Sequence, residues 1–197
     1  MFPHTGAPLS ADLRADLFKA IPHLRAFAIS LTGNVDQADD LVQDAIVRGL
    51  SNLDSFTPGT NLQAWLFTIL RNHFHTLLRR RKREVEDPDD AMASSLSTPP
   101  EQHARLDFQD FRTALAQLPL EQREVLLLVG AEGLSYEEAA RICGTAIGTI
   151  KSRMNRARAR LAELLHLEDE EDLGTDRVVR AALSVNSIRS AVSDRAP

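Results

Sequence analysis

The sequence predicts an all-α protein with two small helical domains joined by a flexible linker. Apolar residues recur with the period of an amphipathic helix along most of the chain, and no stretch alternates convincingly as a strand does. Composition changes beyond residue 83, where the acids of EVEDPDD are followed by ASSLSTPPEQ, a segment with little to bury. We therefore place the domains at 10–85 and 103–167, the linker at 86–102, and an acidic tail, weakly helical or disordered, at 168–197.

Charge is segregated along the chain. The formal net charge of -5 would by itself argue against a nucleic-acid partner. However, cations concentrate in RRRKR at 79–83 and within 151–160, whereas acids concentrate at 84–90 and in EDEED at 168–172. Because the distribution of charge indicates partners better than the sum does, the two basic stretches keep DNA binding open.

The expected location is the cytoplasm, without membrane association. A single cysteine, Cys143, excludes an intramolecular disulfide and suits a reducing compartment. The first residues lack the basic start and apolar run of a signal peptide. No stretch approaches the roughly 20 apolar residues that a membrane-spanning helix needs.

Neither a metal, a cofactor nor catalytic chemistry is expected. His73 and His75 are two residues apart on a predicted helix, so their side chains point about 200° apart and do not converge on one ion. No second pair of Cys or His ligands lies at a useful spacing. Gly-rich phosphate loops and nucleophile elbows are also missing from the sequence.

The segment 118–161 predicts a helix-turn-helix. Ser135, followed three residues later by Glu138, predicts a capping box at the start of a short helix. Gly144 should end that helix and Thr145 should cap the next one. Two helices joined by a short Gly-containing turn are typical of the helix-turn-helix unit.

The last helix of this unit has the composition of a DNA-reading helix. Ile150, Met154, Ala157, Leu161 and Leu164 form one apolar stripe. The rest of its surface carries small, amide and cationic side chains, among them Lys151, Ser152, Arg153, Asn155, Arg156 and Arg158. Asn can read adenine, Arg can read guanine, and flanking cations can hold phosphates. The alternative is a surface helix whose cations are merely solvated.

The first domain contains an acidic helix near 36–53. Its buried side is predicted to comprise Leu41, Val42, Ala45, Ile46, Leu50 and Leu53. Its outer face is predicted to comprise Asp39, Asp40, Gln43, Asp44 and Arg48. Such a face can be a docking surface or only a solubilising one, and periodicity alone leaves both open.

A longer helix at 62–83 predicts a second nucleic-acid surface. The side opposite its apolar residues offers Thr68, Arg71, Asn72, His75, Arg79 and Lys82. Cations, an amide and an imidazole suit contacts to phosphates and bases. The preceding turn, DSFTPGTN at 54–61, has polar groups that could cup an unstacked base, and Trp65 is expected to be core.

Three stretches together resemble the extracytoplasmic-function (ECF) sigma factors. These are DDLVQDAIVRGLSNLDSF, PGTNLQAWLFTILRNHFHTLLRRRKR, and LPLEQREVLLL with LSYEEAARICGTAIGTIKSRMNRARARL. The resemblance covers roughly 10–166 and both domains of that family, sigma region 2 and sigma region 4. The segment FTPGTNLQAWLFTILRN further resembles the EcfG-type general-stress-response group of alphaproteobacteria.

The resemblance implies a role for each surface. Asp40, Gln43 and Asp44 would dock on RNA polymerase core. The loop at 55–61 and the strip Arg71, Asn72, His75 and Arg79 would engage the minus-ten promoter element. The helix from Thr149 to Arg160 would recognise the minus-thirty-five element. A NepR-type anti-sigma factor would hold the protein inactive.

Other classes of protein fit less well. A sigma-like decoy that binds the anti-sigma factor but not DNA would have little need for basic faces at 71–83 and 151–160. An ordinary helix-turn-helix activator would leave the whole first domain unexplained. The sequence thus predicts a non-enzymatic transcription initiation factor.

Overall fold

The computed structural model of the protein describes residues 10–85 and 104–165. The predicted linker at 86–102 and the predicted tail at 168–197 lie outside these residues. Within the described ranges the chain forms seven α-helices and no strand, which confirms the all-α, two-domain prediction. Within these ranges, none of the helices combines the length and the apolar composition of a membrane-spanning segment.

Three helices form the first bundle: α1 (Ala11–Thr32), α2 (Val35–Ser51) and α3 (Leu62–Val85), with a short 3₁₀ turn at Leu53–Ser55. Gly33 ends α1 in the left-handed conformation, and the Asn34 side chain then caps α2 through the backbone N–H of Gln37. This tight corner lays α2 antiparallel to α1. In the centre, the rings of Phe27 and Phe67 meet edge to face at 5.0 Å.

The buried side of α2 differs from the prediction at Leu50, which is 42% exposed. The helix is rotated so that Gly49 faces α3 instead, where a Cβ atom would stand 3.0 Å from Cδ2 of Leu66. Leu50 then lines the rim of a shallow apolar groove together with Leu13 and Leu17 of α1. The close approach at Gly49 therefore sets the face that α2 presents to solvent.

Four helices form the second bundle: α4 (Ala104–Gln117), α5 (Leu120–Val125), α6 (Tyr136–Cys143) and α7 (Ile147–Leu164). Beyond Val125, α5 continues into a π-helical turn, Leu126–Ala131. The predicted stripe of α7 is confirmed for Ile150, Met154, Ala157 and Leu161, which are buried, while Leu164 at the end of the helix is half-buried. Burying this stripe leaves the opposite side of α7 at the surface.

The turn between α6 and α7 is only partly as predicted. The capping box is confirmed, because the Ser135 hydroxyl accepts from the Glu138 N–H while the Glu138 carboxylate accepts from the Ser135 N–H. Gly144 ends α6 with φ 62°. The predicted cap by Thr145 is wrong: its backbone N–H closes α6 by donating to the Ala140 carbonyl, and Ala146 is the N-cap of α7.

Replacing Ser135 with alanine should destabilise the helix-turn-helix. The substitution removes the acceptor for the first turn of α6, so the free energy of unfolding should fall by about 0.5–2 kcal/mol. Urea unfolding followed by circular dichroism measures this. Ser51→Ala, at an exposed position at the end of α2, is the matched control, and an equal effect of the two substitutions would contradict the capping role.

Candidate nucleic-acid and polymerase interfaces

The outer face of α7 is accessible in the second bundle. Lys151, Ser152, Asn155 and Arg156 are exposed, whereas Thr149, Arg153 and Arg158 are half-buried. The Arg156 guanidinium donates to the Ser152 hydroxyl at 2.9 Å and to its carbonyl at 3.2 Å. This holds Arg156 along the helix beside Asn155, so both side chains are presented on one surface.

Arg153 is held at the edge of that face by a second helix. Its guanidinium lies 2.5 Å from the carboxylate of Glu121 on α5, and its side chain is only 18% exposed. A phosphate at this position would therefore compete with Glu121. Arg153, one of the predicted flanking cations, is thus already paired with a carboxylate of its own bundle.

The predicted acidic face of α2 is at the surface. Asp40, Gln43 and Asp44 are exposed, and they lie along one side of the helix. The Asp44 carboxylate bonds Nε2 of His73 at 2.8 Å and still remains 59% exposed. His73, which the sequence suggested only as a poor metal candidate, instead fixes Asp44 from α3.

The strip on α3 is divided by the second bundle. Asn72 and Arg79 are exposed, as predicted. Arg71 and His75 were predicted to face outward, but their side chains are only 13% and 28% exposed, because both bond Glu124 of α5 and α3 packs against α6. The sequence pattern defined the polar side of α3 correctly, but it could not reveal that another helical unit lies on it.

Glu124 of α5 is the centre of this contact. Its side chain is 0% exposed, and each carboxylate oxygen has its own partner from α3. Arg71 Nε donates to Oε2 at 3.0 Å, and Nε2 of His75 lies 2.6 Å from Oε1. A buried carboxylate without such partners would be strongly destabilising, so the two bundles satisfy this charge jointly.

Two further glutamates of the second bundle contact the first. Glu132, just after the π-helical turn, bonds Nδ1 of His23 at 2.8 Å and accepts from the Gln63 amide at 2.8 Å. Burial raises the pKa of Glu132 above its ordinary value, while His23 and Gln63 oppose the rise. Glu138 accepts from the Asn61 amide at 2.9 Å.

In one contact the second bundle supplies the hydrogen-bond donor. The Arg123 guanidinium donates to the Ser30 carbonyl of α1 at 3.0 Å, and it also donates to the carbonyls of Ala116 and Leu118 in its own bundle. The polar contacts between the bundles therefore join glutamates and an arginine of the second bundle to cationic, imidazole, amide and carbonyl groups of the first.

The sequence analysis did not predict that these three glutamates contact the first bundle. A signal was present for Glu124, which follows Leu120 by four residues and precedes Leu127 and Leu128 by three and four. It therefore occupies a position on the apolar side of its helix. An acid on such a side indicates a partner from elsewhere in the fold. Glu132 and Glu138 gave no comparable signal.

Comparisons with known proteins agree with this architecture. The family model Sigma-70 region 2 matches residues 17–84, and Sigma-70, region 4 matches residues 108–161. The chain is 58% identical over 179 residues to the ECF RNA polymerase sigma factor EcfG of Rhodopseudomonas palustris, which covers 91% of this chain and 99% of that protein.

Solved structures give the same result. The sigma factor RpoE of Bartonella quintana, solved in complex with the anti-sigma factor NepR, matches with a TM-score of 0.73 and 52% identity. That match covers 80% of this chain and 99% of the other. CnrH, solved with the cytosolic domain of CnrY, matches with a TM-score of 0.55 and 28% identity over 80% of this chain and 88% of that one.

The fold and these matches together define the class of protein. The chain belongs to the sigma-70 family of RNA polymerase sigma factors. Within that family, its similarity to EcfG along nearly the whole chain places it in the extracytoplasmic-function group, as the sequence motifs predicted.

Cys143 should be a slow-reacting thiol in the folded protein. It lies at the end of α6, near both Arg71 and Glu124, and burial raises the pKa of its thiol from 9.0 to about 11. Since the thiolate is the reactive form, Ellman's reagent at pH 8 should label the native chain at least about 10-fold more slowly than the urea-unfolded chain. Equal rates would contradict the burial of this residue.

Proposed function

We propose that the protein is the promoter-selecting subunit of RNA polymerase, a sigma factor that acts in the cytoplasm without catalytic chemistry or a cofactor of its own. The observation that carries the proposal is the presence, in one chain, of an exposed acidic face on α2 and an exposed base-reading face on the second helix of a helix-turn-helix. The near full-length similarity to EcfG supports it.

Each surface has a proposed part in initiation. Asp40, Gln43 and Asp44 dock on polymerase core. Residues 103–167 contact the minus-thirty-five element through Thr149, Lys151, Ser152, Arg153, Asn155, Arg156 and Arg158. Residues 10–85 engage the minus-ten element through Arg71, Asn72, His75 and Arg79.

A NepR-type anti-sigma factor is the proposed regulator, and the general stress response is the proposed setting. The Bartonella relative was solved in complex with NepR, and this chain is 52% identical to it. The alternative of a sigma-like decoy is less well supported. The exposed side of α7 carries groups for reading DNA, which a decoy does not need, and the near full-length similarity is to a sigma factor.

Reversing two acids of α2 should abolish transcription. Purified protein with core polymerase should give a promoter-specific run-off transcript, and a NepR-type protein should suppress it. Asp40→Lys with Asp44→Lys should remove the transcript because the docking face is lost, while the helical circular dichroism spectrum stays unchanged. The matched control is Asp16→Lys with Asp110→Lys, which makes the same charge change at exposed positions on α1 and α4 and should leave the transcript in place. Normal transcription by the first double variant would show that the docking face is misassigned.

Replacing each of two nearby arginines of α7 in the holoenzyme should impair promoter binding in a different way. Arg156→Ala should cost about 1–3 kcal/mol of promoter binding and relax base preference in the upstream element. Arg158→Ala should weaken all promoters alike and reduce the salt dependence of binding, as loss of a phosphate contact does. Filter binding to a set of substituted promoters at several salt concentrations separates the two. Identical profiles for both variants would refute the assignment.

A further inference from the structure

We propose that the second helical unit carries an internal competitor for the promoter strand, with Glu124 at its centre. In the free protein, acidic side chains of the second unit bond the side chains of the first unit that are assigned to the minus-ten element. The promoter strand therefore cannot bind these side chains until the units separate. The inference rests on the proposed function, because it takes Arg71, His75 and the loop ending at Asn61 as strand contacts.

The chemistry at Glu124 is that of a phosphate site already filled by an anion. A carboxylate presents two oxygens to an arginine, which often binds phosphate in protein–DNA contacts, and to an imidazole, which can donate to phosphate as well as to carboxylate. Arg71 is bonded at 3.0 Å and His75 at 2.6 Å, and the carboxylate between them is fully buried. A phosphate and Glu124 therefore cannot occupy these donors together.

The other acids extend the contact along the first unit. Glu138 takes the amide of Asn61, immediately before α3, and Glu132 takes the amide of Gln63 in its first turn. From Asn61 to His75 the helix rise of 1.5 Å per residue corresponds to roughly 20 Å. Three carboxylates thus follow α3 from the strand-cupping loop to the middle of its polar side, over the length of several nucleotides.

Such a contact can be displaced because it is not strongly stabilising. The cost of removing charges from water offsets much of the attraction in a buried ion pair, and the raised pKa of Glu132 reflects that cost. When the units separate, water hydrates the glutamates, and DNA phosphates supply anions to Arg71 and His75. Polymerase, by binding each unit at its own place, would shift this balance toward the open form.

The test measures strand binding by the free, full-length chain. The probe is a fluorescein-labelled single strand that carries the minus-ten region of the promoter used in the run-off assay. Glu124→Gln keeps the side-chain shape but removes the charge, and it should tighten binding of this strand at least about 5-fold. Glu137→Gln, an exposed acid of the same bundle, makes the same charge change and should leave affinity at the wild-type value.

The reactivity of Cys143 supplies a second readout. Cys143 lies near Arg71 and Glu124, and because it is the only cysteine of the chain, a thiol reagent reports on this position alone. Ellman's reagent should react faster with Glu124→Gln than with the wild type or Glu137→Gln. Should Glu124→Gln fail to fold, as judged by circular dichroism, Glu132→Gln takes its place in both measurements, with the same direction expected.

The outcomes distinguish the competitor role of Glu124 from the proposed sigma function. If Glu124→Gln binds the strand no more tightly than Glu137→Gln, or binds it more weakly, Glu124 is not a competitor, and the proposal is overturned. Transcription by wild-type holoenzyme in the same preparation would then leave the sigma function standing. If the wild type gives no specific transcript, the proposed function itself fails. With core polymerase bound, the advantage of Glu124→Gln should disappear, since the units are then already apart.

Discussion

A fully buried carboxylate is stable only where its partners are fixed, and Glu124 takes both of its partners from the other helical unit. This constraint couples the two bundles. Arg71 and His75 close over Glu124 from α3, and the contacts of Glu132, Glu138 and Arg123 follow around it. Moving one bundle away exposes all of these charges at once, so the arrangement should open as a unit rather than contact by contact.

The two helices that are proposed to contact DNA are consequently unequally accessible in this structure. The outer side of α7 is exposed, whereas Arg71 and His75 of the strip on α3 are bonded to Glu124 of α5. The acidic face of α2 is likewise exposed. This arrangement therefore leaves the proposed polymerase-docking and duplex-reading faces available while withholding part of the face proposed for single-stranded DNA. That order fits initiation, in which the duplex is recognised before it is opened.

Sequence reasoning was sufficient for features that depend on neighbours along the chain. Helical period gave the buried stripe of α7, and the spacing of Ser135 and Glu138 gave the capping box. It failed where distant residues decide the outcome. Leu50 is exposed because Gly49 permits a close approach to Leu66, and Thr145 does not cap because its N–H is used to close α6. The pairing of Glu124 with α3 joins residues 53 and 49 positions apart, which no local pattern encodes.

The π-helical turn at Leu126–Ala131 has a consequence for how this chain tolerates length changes. A π turn is equivalent to one residue inserted into an α-helix, and it rotates everything that follows by about 100°. Glu132 emerges directly from this turn, and the helix-turn-helix begins three residues later. Deleting a single residue here would relax the turn to ordinary α-helix and swing Glu132 off His23 and Gln63. The number of residues in this segment, rather than their identity alone, therefore sets how Glu132 and the helix-turn-helix are oriented relative to each other.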